Sequence, residues 1–334
     1  MRKSSRRLLI VVVAAVVAVG SPFVVDRISV QPGAALVKVI FEAGSGVKTP
    51  PDFGGIRQSV TATRNITIPV ADAPSAALDV YVPNKPSSER LPMIMWLHGG
   101  GFISGSKDAV GDYTLMLAAR GYVVASLDYT LAPDAPYPIP IRQANAALGY
   151  LAAHADEFGG DAARLFIGGD SAGGQLASQT AALLTNPALA AAMPLTPAVP
   201  ASSLRGALLF CGIYDMSAFA VSGFPFVRTF MWSYLGRRDW LNHERIAELS
   251  TVDQVTAAYP PTLITVGDAD PFDPMGRELV AALQGKGVPV QSAFYAGAGL
   301  NHEYQFDFSL PQAAEFFRST VAFLDDRSRT GVPS

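Results

Sequence analysis

A serine in a glycine-rich turn is the residue of this chain best suited to chemistry. Gly169, Asp170, Ser171, Ala172 and Gly173 follow a short apolar run and precede a stretch with helical spacing, which predicts a strand, a tight turn and a helix. Glycines relieve the cramped backbone of such a turn, and the helix directs free N–H groups towards a developing oxyanion. Ser171 is therefore a candidate nucleophile for acyl transfer, although an ordinary strand-to-helix turn can carry the same five residues.

A second glycine-rich turn lies one strand earlier in the chain. His98, Gly99, Gly100, Gly101 and Phe102 directly follow an apolar run that is typical of a buried strand. Three glycines allow backbone amides to approach a substrate without obstruction by Cβ atoms, as an oxyanion hole requires. We expect His98 to pack and hydrogen-bond so that it holds this loop, and not to act as a base.

The elements around these turns indicate an α/β fold. Residues 59–69 and 78–82 have the alternation of an antiparallel strand pair. Short apolar runs then alternate with helical spacing, which predicts a mostly parallel sheet with helices on both faces. The predicted strands are 93–97, 123–127, 165–167, 207–210, 263–266 and 288–295, and the predicted helices include 34–42, 113–119, 141–153 and 175–184.

Two connections depart from this alternation. Residues 186–203 are rich in Ala and Pro and predict an irregular surface connection. Residues 214–259, about 45 in number, exceed what a crossover between parallel strands needs. Their many aromatic residues either form the core of a helical insertion or, as a cap, line an acyl pocket. The pocket candidates are Phe102, Tyr214, Phe230 and Trp232.

Composition excludes several classes of function. Four of the 25 basic residues precede Asp26, which leaves 21 basic against 28 acidic residues in the body, a balance that repels nucleic acid. The single cysteine, Cys211, lies in an apolar run and is expected to be buried. With one cysteine and four histidines, the sequence predicts no metal site, and the serine chemistry expected of Ser171 needs no organic cofactor.

The first 25 residues resemble a targeting segment. Arg2, Lys3, Arg6 and Arg7 precede a run without charge at 8–25, which as a helix would extend roughly 27 Å. Either this run is a cleaved signal peptide, with cleavage near Ser21, or it is an uncleaved membrane anchor. The catalytic body is expected outside the cytoplasmic membrane. It is membrane-bound if the segment is kept, and secreted or periplasmic if the segment is cleaved.

The motifs together resemble the hormone-sensitive-lipase group of α/β-hydrolases from about residue 78 to 326. This resemblance implies that Ser171 is the nucleophile and that Gly100, Gly101 and Ala172 donate the oxyanion N–H groups. The chain is expected to divide into residues 26–55, a linker or N-terminal cap segment, and a catalytic domain at 56–330, with a helical cap formed by the N-terminal region and the insertion. The matching motifs are His98-Gly99-Gly100-Gly101-Phe102, Asp128-Tyr129-Thr130-Leu131-Ala132-Pro133 with Tyr137-Pro138, and Gly169-Asp170-Ser171-Ala172-Gly173-Gly174.

The chain order of this fold is serine, acid, histidine, so the acid should follow the strand at 263–266. Asp268, Asp270 and Asp273 are there, and Asp270 matches the family pattern of an acid before proline and a bulky apolar residue. His302 is the only histidine beyond them. Glu303 stands where the family usually has an aromatic residue, and it either tunes the imidazole or faces water. The other two histidines, His154 and His243, are expected to have surface or packing roles.

The expected function is hydrolysis of carboxylic esters with short or medium acyl chains through an acyl-enzyme. The same residues would also serve an amide, formamide or peptide hydrolase, or a lipase. A non-catalytic ligand-binding protein of this fold is disfavoured because Ser171, Asp270 and His302 are all present. The predicted partners are a small ester substrate and, if the N-terminal segment is retained, a membrane; the sequence leaves the oligomeric state open.

Overall fold

The computed structural model describes residues 29–44, 46–85, 87 and 89–329. The predicted targeting segment at 1–25 lies outside these residues. Within the described ranges, none of the helices combines the length and the hydropathy needed to cross a membrane.

Among the described residues, eight strands form one sheet. From one edge to the other the order is β1, β2, β4, β3, β5, β6, β7, β8. The pairs β1/β2 and β2/β4 are antiparallel, and every other pair is parallel. The strands are β1 (Val60–Ile68), β2 (Ala76–Pro83), β3 (Leu91–Leu97), β4 (Val123–Asp128), β5 (Gly160–Asp170), β6 (Leu204–Phe210), β7 (Thr262–Val266) and β8 (Val290–Phe294).

Twelve α-helices are present in the described part of the chain. They are α1 (Gln31–Glu42), α2 (Phe53–Gln58), α3 (Gly111–Ala118), α4 (Ile139–Ala153), α5 (Ala172–Thr185), α6 (Pro187–Ala192), α7 (Met216–Val221), α8 (Val227–Leu235), α9 (Ile246–Leu249), α10 (Thr251–Gln254), α11 (Asp273–Gly285) and α12 (Pro311–Ser328). Short 3₁₀ turns include Trp240–Asn242 and Tyr304–Phe306.

The predicted fold class is confirmed, since the sheet is mostly parallel and helices pack against it. The central strands are buried along their length because helices cover them, which explains their continuous apolar sequences. Strand β5 is longer than the predicted run because its polar first half extends the pairing with β3 as far as Gly160. The connection at 186–203 contains α6, whose first N–H groups are accepted by the Asn186 side chain.

The segment between β6 and β7 contains four short helices, α7 to α10. Its aromatic residues meet the N-terminal helix α1. The ring of Phe41 on α1 lies 5.3 Å from that of Phe230 on α8, and it also contacts Phe224 and Phe226 at 6.5 and 6.3 Å between centroids. Helix α1 and the insertion therefore pack together beside the carboxyl end of the sheet, where β5 delivers Ser171.

Candidate active site

Ser171 occupies a strained turn between β5 and α5. Its backbone has φ 52° and ψ −120°, a conformation that is costly for a residue with a Cβ atom. Glycines make the turn feasible on both sides. A Cβ on Gly169 would lie 2.3 Å from the Gly173 oxygen, and one on Gly173 would lie 2.1 Å from the Leu97 oxygen. The turn thus needs glycine at both positions, and it holds the Ser171 side chain at the end of the strand.

Three predicted site residues form one hydrogen-bonded chain. The Ser171 hydroxyl donates to Nε2 of His302 over 2.9 Å, and the Nδ1–H of His302 donates to Oδ2 of Asp270 over 2.7 Å. The other carboxylate oxygen of Asp270 accepts the N–H of Phe272, and the Asp270 side chain is fully buried. Loops after β5, β7 and β8 supply the three residues, which explains why residues 131 positions apart meet.

The alternative acids lie elsewhere in the same loop. Asp268 accepts three backbone N–H groups, from Ala298, Gly299 and Leu300, at 2.7 to 3.1 Å. These hydrogen bonds, chiefly the one from Leu300, lower the pKa of Asp268. Asp273 begins α11 and pairs with Arg277 at 2.8 Å. Asp268 therefore shapes the histidine loop, and Asp270 is the acid that contacts His302.

The surroundings of His302 make its imidazole a stronger base. Burial disfavours the imidazolium, but interactions with Cys211 and the hydrogen bond and charge of Asp270 outweigh it and raise the pKa of His302 well above its ordinary value. Cys211 is buried as predicted, and burial raises the pKa of its thiol.

A metal ion finds poor ligands in this cluster. The ligand atoms of Cys211, Asp270 and His302 lie within 4.8 Å of one another, the one such group among the residues described. However, Nδ1 of His302 is already committed to Asp270, and the raised pKa of Cys211 opposes the thiolate that a metal would bind.

The glycine loop has two uncommitted amides. Within the described chain, the N–H groups of Gly100 and Gly101 donate to no other protein group. The Gly100 carbonyl instead turns away and accepts from the N–H and hydroxyl of Ser104, at 3.0 and 2.7 Å. Both glycines have positive φ, 117° and 60°. Ala172 begins α5, so its N–H has no partner four residues earlier in the helix.

Asp170 joins the serine turn to the glycine loop. Its carboxyl oxygens accept the indole N–H of Trp96 at 2.9 Å and the backbone N–H of Gly99 at 2.7 Å. The carboxyl group of Glu303, the residue after His302, lies beside it, next to the Cα of Gly99. Burial and the charge of Glu303 raise the pKa of Asp170 well above its usual range. Glu303 is the site residue whose partner the sequence did not identify.

His98 is buried beneath the glycine loop, where its ring stacks on Tyr129 with 4.3 Å between centroids. Its Nδ1–H donates to the carbonyl of Gly99 over 2.7 Å. Burial lowers the pKa of His98 and so favours the neutral ring. Of the remaining histidines, His154 bonds the Tyr150 carbonyl and His243 accepts the Arg245 N–H, and neither lines the cavity at Ser171.

A cavity of about 330 Å³ opens at Ser171 and His302. Its lining includes Ile40, Phe41 and Gly44 from the N-terminal segment, residues of the glycine loop, Ala109 and Val110 before α3, and Phe306.

The four aromatic residues predicted to line a pocket do not line this cavity. Phe102 is buried in a stack on Tyr234, with 4.0 Å between centroids. The Tyr214 hydroxyl accepts the Gly212 N–H inside the protein, and Trp232 lies near Arg238. Phe230 is buried against Gly101 and Phe41. These rings therefore fill the core of the insertion and its contact with the glycine loop.

Comparison with known proteins establishes the family. The family model of the alpha/beta hydrolase fold matches residues 94–305, which is more than half of the chain. The chain belongs to this family, as its three sequence motifs predict.

The chain is 28% identical over 230 residues to Esterase LipC of Mycobacterium tuberculosis, covering 67% of this chain and 55% of that protein. It is 29% identical over 261 residues to an acetyl esterase of Salmonella choleraesuis, covering 72% and 76%. The fold matches the crystal structure of Esterase B from Lactobacillus rhamnosis with a TM-score of 0.76 at 20% identity, covering 91% and 96%. The chain spans about half the length of the first curated relative, and less than half of the next two.

Proposed function

We propose that this protein is a carboxylesterase that uses Ser171, His302 and Asp270 as a catalytic triad. The observation that carries the proposal is the unbroken hydrogen-bonded chain from Asp270 through His302 to Ser171, at a strained turn that opens into a cavity. Support comes from the relatives named esterases, which are similar to this chain over two thirds of its length or more.

In this mechanism His302 removes the proton of Ser171 as the serine oxygen bonds to the ester carbonyl carbon. The N–H groups of Gly100, Gly101 and Ala172 donate hydrogen bonds to the carbonyl oxygen and stabilise the negative charge that develops on it. His302 then gives the proton to the departing alcohol, and the acyl group remains on Ser171. Water, deprotonated by the same imidazole, releases the acid. Asp270 fixes the tautomer of His302 and stabilises its positive charge throughout.

The size of the cavity supports short or medium acyl chains. Its volume of about 330 Å³ is at the lower end of the range for small-molecule sites. Helix α1 and the segment 214–259 act in this proposal as a cap, because Phe41 and Phe230 pack together over the glycine loop.

Replacement of Ser171 tests the reaction class. Ser171→Ala should abolish turnover of p-nitrophenyl esters across a series from acetate to palmitate, a loss of roughly 10⁴-fold or more. Ser178→Ala is a matched control, since Ser178 is buried on the same helix but does not line the cavity. The proposal is overturned if the parent protein hydrolyses none of these esters. It is equally overturned if Ser171→Ala leaves their hydrolysis unchanged. Turnover of amide analogues alone would instead identify an amidase.

A phosphonate ester that reacts with activated serines distinguishes an enzyme from a ligand-binding protein of the same fold. The adduct should form on Ser171, identified by peptide mass spectrometry, and it should be absent from His302→Ala. Failure of the parent protein to react would show that Ser171 is not activated.

We further infer that residues 1–25 target the body across the cytoplasmic membrane and remain as an anchor. The four basic residues and the following charge-free run support this. N-terminal sequencing of the membrane and soluble fractions tests it. An intact N-terminus in the membrane fraction is the expected result, whereas a mature chain beginning near Ser21 would show that the segment is a cleaved signal.

A further inference from the structure

Helix α1 carries apolar side chains on its solvent-exposed side as well as on the side that packs against the core. Ala34 and Val37 face the core, yet Leu36, Val39 and Ile40 are 63%, 65% and 48% exposed. At 100° per residue these three occupy one continuous arc on the opposite side of the helix. A helix that borders water normally carries polar residues on that arc, so the sequence of α1 fits contact with an apolar medium.

The exposed apolar surface extends to the insertion. Phe226, at the start of α8, is 42% exposed, and its ring lies 6.3 Å from that of Phe41 on α1. We call Leu36, Val39, Ile40 and Phe226 the entrance face. Contiguous exposed apolar groups of this kind mark surfaces that bind a protein or a membrane.

The entrance face adjoins the opening of the cavity. Ile40 belongs to both, because it is exposed and also lines the cavity that contains Ser171 and His302. Phe41 and Gly44, which follow it, line the same cavity. A molecule that rests on the entrance face is thus next to the path to the nucleophile.

The chain before α1 indicates which medium the face meets. Residues 8–25 carry no charge, and this run ends six residues before Gln31, where α1 begins. Six residues extend at most about 20 Å, so α1 stays close to wherever that run ends. If the run is an anchor, as inferred above, its end lies at a membrane surface.

We propose that the entrance face rests on a lipid bilayer and admits apolar esters from the bilayer interface to Ser171. Amphipathic helices bind in this way, with their apolar side chains among the acyl chains near the head groups. This proposal rests on the proposed esterase function for its substrate, but the lipid contact itself does not depend on activity. A second copy of the chain is the competing occupant of the face.

Lipid contact can be measured on the full chain in phosphatidylcholine vesicles. Val39→Cys is labelled with an environment-sensitive fluorophore, and lipids with nitroxide-bearing acyl chains serve as quenchers. Gln284→Cys is the matched control, because Gln284 is exposed near the end of α11 and does not line the cavity. The unsubstituted chain, treated with the same fluorophore, shows whether the buried Cys211 is labelled.

The label at position 39 should be quenched several-fold more strongly than the label at position 284. Equal quenching at both positions would place the face in water and overturn the proposal. A shielded but unquenched label at position 39, together with cross-linking between copies, would assign the face to a dimer and would equally overturn it.

A second experiment connects the face to turnover. The double variant Leu36→Lys with Val39→Lys should reduce hydrolysis of a vesicle-embedded ester about tenfold or more, because charges there oppose insertion. Hydrolysis of soluble p-nitrophenyl acetate should remain unchanged, since neither residue lines the cavity. Equal loss on both substrates would contradict the proposal. If the parent protein cleaves no ester, the proposed function fails, and the quenching result still decides the lipid contact.

Discussion

The carboxyl group of Asp170 accepts the backbone N–H of Gly99 over 2.7 Å, which ties the residue before the nucleophile to the glycine loop. Trp96 donates to the other oxygen of the same carboxyl group, at 2.9 Å. The carboxyl group of Glu303, the neighbour of His302, lies beside the same group. One buried carboxyl group therefore connects the loops that hold the serine, the oxyanion donors and the histidine, and its protonation bears on the stability of all three.

The first prediction concerns pH and stability. Because the pKa of Asp170 is raised in the folded protein, the folded state keeps a proton that the unfolded chain releases. The stabilisation from this group is complete below the unfolded pKa and is lost as the pH rises through the folded pKa. Glu303→Gln removes a charge that raises this pKa, and its amide can donate to Asp170. The variant should therefore lose less stability than the parent between pH 5 and pH 8.

The difference should reach about 1.4 kcal/mol for each unit by which the Asp170 pKa falls. Thermal and denaturant unfolding at the two pH values measure it. Glu315→Gln, on the exposed side of α12, is the control and should give the same pH dependence as the parent. If Glu303→Gln also behaves like the parent, Asp170 and Glu303 are not coupled as described.

The second prediction concerns Asp270 and the pH dependence of activity. His302 must be unprotonated to accept the Ser171 proton, so kcat/KM should rise with pH through the pKa of His302. The charge and hydrogen bond of Asp270 help to raise that pKa. Asp270→Asn should therefore shift the acidic limb of the profile to lower pH, while the plateau falls by about 10³- to 10⁴-fold.

Asp273→Asn is the matched control for this profile. Asp273 lies three residues further along the same loop and pairs with Arg277, not with His302. Its pH profile should coincide with that of the parent. An unshifted acidic limb in Asp270→Asn would show that Asp270 does not set the pKa of the base.

The fold was largely predictable because its central strands are buried on both faces. Burial demands continuous apolar runs, and these runs are visible in the sequence for β3, β4, β6 and β7. The polar first half of β5 was not predictable in this way, because it pairs at the end of the sheet, where Gly160 meets Leu91.

The hydrogen-bonded residues of the site were predictable for a different reason. Glycine requirements and chain order narrow the candidates to Ser171, His302 and three nearby acids. The cavity lining was not predictable, because it depends on which rings pack against each other. Phe102 stacks on Tyr234, far away in sequence, and is thereby removed from the cavity. The contact of Glu303 with Asp170 likewise depends on the approach of two loops, which no local pattern records.

The third prediction concerns the glycine loop. A Cβ on Gly100 would lie 2.1 Å from the backbone oxygen of Ser104, and φ at this position is 117°. Gly100→Ala should displace the loop and its amides, lowering kcat by roughly 10²- to 10³-fold with a smaller effect on KM. Circular dichroism and phosphonate labelling of Ser171 verify that the fold and the nucleophile persist.

Gly285→Ala is the contrasting control. A Cβ at Gly285 meets nothing within 4 Å, and the residue ends α11. This variant should keep full activity and gain up to about 1 kcal/mol in unfolding free energy. A Gly100→Ala protein with unchanged kcat would exclude the Gly100 amide from the oxyanion site.

The fourth prediction concerns the acyl-chain limit. Ala109 lines the cavity together with Val110, and its small side chain takes up little of the cavity's volume. Ala109→Phe should fill part of the volume of about 330 Å³ and exclude longer acyl chains. Because each excluded methylene contributes about 0.8 kcal/mol of burial, kcat/KM should fall about fourfold for each further methylene beyond the new limit. Acetate, which needs little of the cavity, should be cleaved at the parent rate. Measured from acetate to octanoate, the kcat/KM values of the variant should therefore fall further below those of the parent as the acyl chain lengthens. A uniform loss across the series would show that acyl chains do not bind beside Ala109.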